Sequence, residues 1–301
     1  MNLSIAGGRP PEGSGKKVAM TGNTLKCLAL VSMLLDHIGA VLMSTPAFSD
    51  PRWQAIMYSF RFFGRLAFPI YSFLLVEGFL HTKNLKRYAE SMLFFAVISE
   101  IPFDLAFYGT FFYPQHQNVY VTLFLGLLVL KGLQRWEKDE RKQWLVLLMG
   151  CLAAFLLKSD YDILGILMIS SVYWYRNDPV KRAFTAGLLA FLSSIGLYGG
   201  AVLAFLPLSL YRGERGRSLP KYAFYWFYPI HLIVLCLVGS LISRQSLQAV
   251  DLIVSGIIAG FFFLAVRAIF RHRCGKGGGC CGCSGCASAD ICSRKKREKL
   301  K

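Results

Sequence analysis

A chain of 301 residues that is 54% hydrophobic and only 17% charged, with mean hydropathy +0.45, cannot coat itself with charge as a water-soluble domain does. Its formal net charge of +17 comes from basic residues scattered between apolar runs rather than gathered in one patch. A soluble DNA-binding domain, a secreted disulfide scaffold and a disordered chain are excluded, and nucleic acid is not an expected partner.

The expected fold class is all-α, a polytopic bundle of about ten transmembrane helices in the cytoplasmic membrane. Residues 1–22 read as a polar tail, residues 23–271 as the membrane domain, and residues 272–301 as a basic, Cys/Gly-rich cytoplasmic tail. No cleavage-site pattern accompanies the first apolar run, Leu25 to Met43, so it reads as a span and not as a signal peptide. Further runs fall at about 66–80, 88–108, 118–131, 143–157, 161–175, 183–196, 200–211, 222–242 and 248–270. Gly196, Gly199 and Gly200 leave 183–211 open to two readings, a tight hairpin or a kinked single span; the hairpin makes the count ten. With the N-terminus inside, alternate loops and tails carry 29 of the 34 Lys and Arg residues, which predicts that both termini are cytoplasmic. There is no internal repeat and no inserted soluble domain.

Ionisable groups inside spans cost several kcal/mol, on the order of 2.5–3.5 for a central Asp or Arg, so each one needs a reason. In the first span Lys26 and His37 are eleven residues apart, close to three full turns, which puts them on one face about 16 Å apart. A cation at the cytoplasmic edge above a titratable ring suits an anionic cosubstrate whose reactive end enters the membrane. The alternative is a snorkelling Lys26 and a His37 bonded to a neighbouring helix. Arg61 and Arg65 are i, i+4 and call for an acidic partner; Glu100 and Asp104, themselves i, i+4 around Pro102, are the candidates. Glu77 and His81 end the second apolar run near the cytoplasmic face. His231 follows Pro229 in the ninth run and needs a partner, whereas His116 and the Asp160/Asp162 pair read as solvated loop residues. No phosphate-binding Gly loop, HExxH zinc helix or G-x-S-x-G elbow occurs.

The blocks Leu25-Lys26 with Ser32-Met33-Leu34-Leu35-Asp36-His37-Ile38-Gly39-Ala40, Arg61-Phe62-Phe63-Gly64-Arg65-Leu66-Ala67-Phe68-Pro69-Ile70, Leu75-Val76-Glu77-Gly78-Phe79 with His81-Thr82-Lys83-Asn84, and Ile98-Ser99-Glu100-Ile101-Pro102-Phe103-Asp104-Leu105 follow one another in order. Together with Tyr225-Trp226-Phe227-Tyr228-Pro229-Ile230-His231-Leu232 they make residues 22–270 resemble the TraX family of membrane proteins. Lys26-x10-His37 also looks like the first-span motif of the wider type-3 membrane acyltransferases. The resemblance implies an acyl-CoA-dependent acyltransferase with acetyl-CoA as donor and a pilin-like protein or surface polysaccharide as acceptor. It implies His37 as catalytic base, with Glu100 or Asp104 orienting or tuning it, and Lys26 as a contact to the CoA phosphates, with Arg61 and Arg65 as further donor-binding candidates. Arg65 has two roles open, stabilising the thioester oxyanion or pairing with a carboxylate. Asp36, adjacent to His37, points about 100° away and cannot easily orient that ring. A transporter that relays protons through the same groups and a non-catalytic pilin assembly factor remain alternatives.

The tail holds six cysteines, among them Cys274, Cys281, Cys283 and Cys286. A cytosolic thiolate zinc site is the functional reading and an anionic-leaflet-binding, low-complexity segment the plainer one. The second is the expectation, so no metal is expected.

Overall fold

The computed structural model describes residues 20–216 and 221–244, which are predominantly helical with no strand among the described residues. Helix starts follow the sequence closely. Thr21 caps α1 (Gly22–Met43), Asp50 followed by Pro51 caps α2 (Pro51–Gly64), and Asn84 caps α4 (Leu85–Tyr108). Asn118, Asp139 and Asp178 do the same for α5 (Val119–Arg135), α6 (Glu140–Leu157) and α8 (Pro179–Ser193). In each case a short side chain accepts a hydrogen bond from an amide that the first turn leaves without a partner. The other helices are α3 (Ala67–His81), α7 (Asp162–Trp174), α9 (Phe205–Ser209) and α10 (Lys221–Arg244).

Four segments are long and apolar enough to cross a membrane: Gly22–Met43, Pro51–His81, Leu85–Tyr108 and Tyr222–Ile242. The second differs from the sequence expectation. Residues 51–64, read as part of an outer loop, form α2, which runs into α3 through helical backbone at Arg65 and Leu66. The polar residues of α2 hide it from a search for apolar runs; its cap and its packing against α1 build it. A Cβ at Gly39 would sit 2.8 Å from the Met57 carbonyl oxygen, and one at Gly64 would overlap the Asp36 backbone. These two glycines let α1 and α2 touch backbone to backbone, as small residues do between membrane helices.

The segment at 183–211 also differs. Its first arm is α8, but the second is a 3-10 turn (Gly200–Ala204) followed by the five-residue α9, too short together for a regular span. Left-handed backbone at Tyr198 and Gly199 breaks the chain between the arms. The last apolar run, 248–270, and the cysteines at 274, 281, 283 and 286 lie outside the described residues.

Helices α3, α5 and α7 pack on one another at the centre, with α1 against α2, α3 and α10, and α10 against α4. On α6, Leu148 (64%), Phe155 (56%) and Leu156 (66%) are among the exposed apolar side chains, a surface suited to lipid and costly in water. Residues 20–23 close one end of the bundle by bonding to the segment before α10, with the Met20 amide donating to the Leu210 carbonyl at 2.9 Å and Gly22 to Glu214 at 2.8 Å.

Candidate functional site

Two adjacent residues of α1 face two different helices. Asp36 turns to α2, where Arg61 lies at 3.1 Å and Arg65 at 3.5 Å. Asp160 and Tyr161, at the start of α7, lie close enough to act on Arg65, and His116 approaches Asp160 at 3.9 Å. The expected arginine partners, Glu100 and Asp104, are occupied elsewhere. Glu100 accepts hydrogen bonds from the Asn118 side chain and from its amide (3.3 Å), and Asp104 accepts one from the Tyr113 amide at 2.7 Å. Both carboxylates fasten the 109–118 loop rather than the arginines or His37.

About 100° round α1 from Asp36, His37 faces α10. Its Nδ1 is 2.6 Å from Nε2 of His231, and Nδ1 of His231 is 2.7 Å from the Phe227 carbonyl oxygen one turn back on α10. That carbonyl can only accept, which puts a proton on His231 Nδ1. For two neutral rings, His231 Nε2 is then the acceptor and His37 Nδ1 the donor. The chain ends on His37 Nε2, a bare lone pair and thus a base. Phe107 and Tyr228 pack edge-on against the His37 ring at 5.4 and 5.7 Å, and both histidines are buried.

Pro229 explains a further contact. Having no amide hydrogen, it leaves the Tyr225 carbonyl without its helical donor, and the Tyr120 hydroxyl of α5 supplies one at 3.2 Å. The proline beside His231 thereby ties α10 to α5.

A cavity of about 660 Å³, within the size range of small-molecule and cofactor sites, is lined by Tyr228, whose ring packs on both histidines; neither histidine is itself among the lining residues. Lys26, Lys83 and Arg215 line one end, and Met33, Tyr120 and Tyr228 line the other. The Lys26 ammonium sits 5.4 Å over the Phe224 ring. Met33 lies about 10 Å along α1 from Lys26, and His37 is one turn further on the same face. Glu77 and His81 are at the cationic end: Glu77 accepts from the Tyr211 hydroxyl at 3.0 Å, and His81 Nδ1 bonds the Glu77 carbonyl at 2.8 Å. Burial, and then the Glu77 carboxylate, push the Tyr211 phenol up to about 12, so it stays a neutral donor. Arg61 and Arg65 are not among the residues lining the cavity, and both reach Asp36.

Sequence reasoning found Lys26, His37 and His231 but missed Tyr228, Lys83, Arg215, Asn118 and Asp160. Tyr228 was signalled only by its place in the motif before Pro229, and the other four are ordinary loop or cap residues in sequence.

The family model described as TraX protein matches residues 21–239. A probable fimbrial assembly protein, FimC of serogroup H1 from Dichelobacter nodosus, is 31% identical over 238 residues, covering 70% of this chain and 93% of the relative. No solved structure matches the chain. The matched region takes in the cavity, the Asp36 ion pairs and both histidines, and the chain belongs to the TraX family.

Proposed function

We propose that the protein is an integral membrane acyltransferase that moves an acetyl group from acetyl-CoA to an amine or hydroxyl of an envelope acceptor, a pilin-class protein or a surface glycan. The observation that carries this reading is the bare Nε2 of His37, held by His231 one turn beyond a cavity with a cationic mouth. The residues fit the donor: Lys26, Lys83 and Arg215 would receive its phosphates, and the tyrosine-lined inner part its uncharged arm. His37 Nε2 would take the proton that the acceptor must lose as it attacks, the task for which an imidazole is suited near neutral pH. His231 keeps that nitrogen bare by fixing the tautomer. The excess of Lys and Arg in alternate loops supports a cytoplasmic position for both termini and the cationic mouth, the side on which acetyl-CoA is made.

The fimbrial name of the Dichelobacter relative supports a pilin-class acceptor, and it equally supports a second reading, a non-catalytic assembly factor. Donor binding separates the two. The full-length protein in lipid nanodiscs is titrated with acetyl-CoA, and envelope proteins and glycans from cells with and without it are compared by mass spectrometry. Saturable donor binding and an acetyl mark lost in the His37→Ala strain are expected. A protein that binds no acetyl-CoA, or a mark that survives His37→Ala at normal protein abundance, overturns the enzyme reading.

A further inference from the structure

Tyr228 is 2% exposed, and its hydroxyl hydrogen has no acceptor. A buried orphan hydroxyl is rare, because it has given up water for nothing. The contrast with its neighbour is direct. Tyr120, whose ring is 5.2 Å from that of Tyr228, has spent its hydroxyl on the Tyr225 carbonyl. Tyr228 lines the cavity.

The group beside its hydroxyl is itself a donor, the backbone amide of Val119, which also lines the cavity. Val119 is the first residue of α5, so its amide has no partner within the helix and lies at the positive end of the helix dipole. The next two amides are satisfied by Asn118, through its side chain for Tyr120 at 3.0 Å and through its carbonyl for Val121 at 3.0 Å. The Val119 amide is directed at the Tyr228 oxygen, so that oxygen is the acceptor there and the phenolic hydrogen is the donor left over at the cavity wall. The ring of Tyr228 packs against His37 at 5.7 Å and His231 at 5.6 Å, so one side chain links the cavity wall to the histidine pair.

We infer that the Tyr228 hydroxyl, polarised by the Val119 amide behind it, forms the oxyanion site, receiving the thioester carbonyl oxygen of the acyl donor; this rests on the acyltransferase reading and gives it a further catalytic residue. As the acceptor atom bonds to the acyl carbon, its proton passes to His37 Nε2 and the carbonyl electron pair moves onto the oxygen that the Tyr228 hydroxyl faces. When that pair returns, the C–S bond breaks and the departing thiolate takes the proton from His37. The Tyr228 proton stays on Tyr228 throughout. Donors preplaced where charge develops stabilise that state far more than the ground state.

Infrared spectroscopy of acetyl-CoA labelled with carbon-13 at the thioester carbonyl tests this directly. It is bound to full-length His37→Ala protein in nanodiscs, where turnover is blocked. The carbonyl band is expected below its position in free acetyl-CoA, and adding Tyr228→Phe is expected to return it towards that position with donor affinity changed less than about threefold. In otherwise native protein, Tyr228→Phe is expected to lower kcat by about 10²–10³-fold, the range for losing one oxyanion donor. A bound donor whose band ignores Tyr228→Phe overturns the oxyanion role alone. Failure of the native protein to bind acetyl-CoA overturns the acyltransferase reading and this inference with it.

Discussion

His37 and His231 stand 194 residues apart in the chain and share a hydrogen bond of 2.6 Å. The Phe227 carbonyl orders the protons along the pair, so in the proposed transfer His231 would act through His37 rather than by touching substrate.

The first prediction follows from that order. Replacing His231 with Leu removes the acceptor for His37 Nδ1–H and frees the ring to turn or change tautomer. A loss of about 10²–10⁴-fold in kcat is expected, the usual worth of a positioned general base, with the donor KM little changed. His231→Gln places an amide oxygen near the lost Nε2 and is expected to recover activity to within about tenfold of native. If Leu and Gln variants fall alike while donor binding stays intact, the proton order is wrong.

The second prediction concerns the other face of α1. Asp36 and Arg61 have side chains only 13% and 25% exposed, so each partner compensates a charge that water can no longer reach. Arg61→Met alone leaves Asp36 with the weaker contact to Arg65 and is expected to destabilise the solubilised protein by roughly 3–5 kcal/mol. Combining it with Asp36→Asn should recover part of that loss, because the stranded carboxylate is removed while Arg65 keeps Asp160 as an acidic neighbour. Thermal unfolding of the four proteins in one detergent gives the cycle, and strict additivity would mean that the two residues do not interact.

Much of this arrangement was legible in the chain, and the limits are physical. Caps such as Asn84, Asn118 and Asp178 announce helix starts because the first-turn amides are a local problem with a local solution. The 100° step between neighbours on a helix was enough to separate Asp36 from His37 before any contact was known. Partner choice was not legible. Glu100 and Asp104 have the right charge and spacing for Arg61 and Arg65, but which helix lies beside α1 is decided by close packing at Gly39 and Gly64. Helix α2 was hidden for a related reason: its polar residues break an apolar run, and its stability comes from α1. The cavity mouth joins Lys26, Lys83 and Arg215 from three separate stretches, which no local pattern reports.

The third prediction tests that close packing. A side chain at Gly64 has the Asp36 backbone in its way, so Gly64→Leu must push α1 and α2 apart and is expected to abolish accumulation of folded protein. Gly187 in α8 is the control. A Cβ there would meet nothing nearer than Phe205 at 3.9 Å, and Ala is a better helix former than Gly by up to about 1 kcal/mol. Gly187→Ala should therefore keep or raise the melting temperature. Equal yields from both variants, judged by size-exclusion profiles, would contradict the backbone contact between α1 and α2.

The fourth prediction addresses the cationic mouth. Lys83 and Arg215 are exposed and reach the cavity from different loops, so each is expected to add attraction for a polyanionic donor without shaping the inner cavity. Lys83→Ala and Arg215→Ala should each raise the KM for acetyl-CoA by roughly three- to tenfold, about 0.7–1.4 kcal/mol, with kcat nearly unchanged. Such contacts act through water and weaken as salt shortens the screening length from about 10 Å at 0.1 M. The native protein should consequently lose donor affinity as salt rises, and the double variant should lose less. Lys181, bonded to Asp178 at 3.4 Å and not part of the cavity, supplies the comparison: Lys181→Ala changes net charge equally and should leave KM and its salt dependence as they were. Should Lys181→Ala weaken donor binding as much as Arg215→Ala does, overall charge rather than a cationic mouth would govern the affinity.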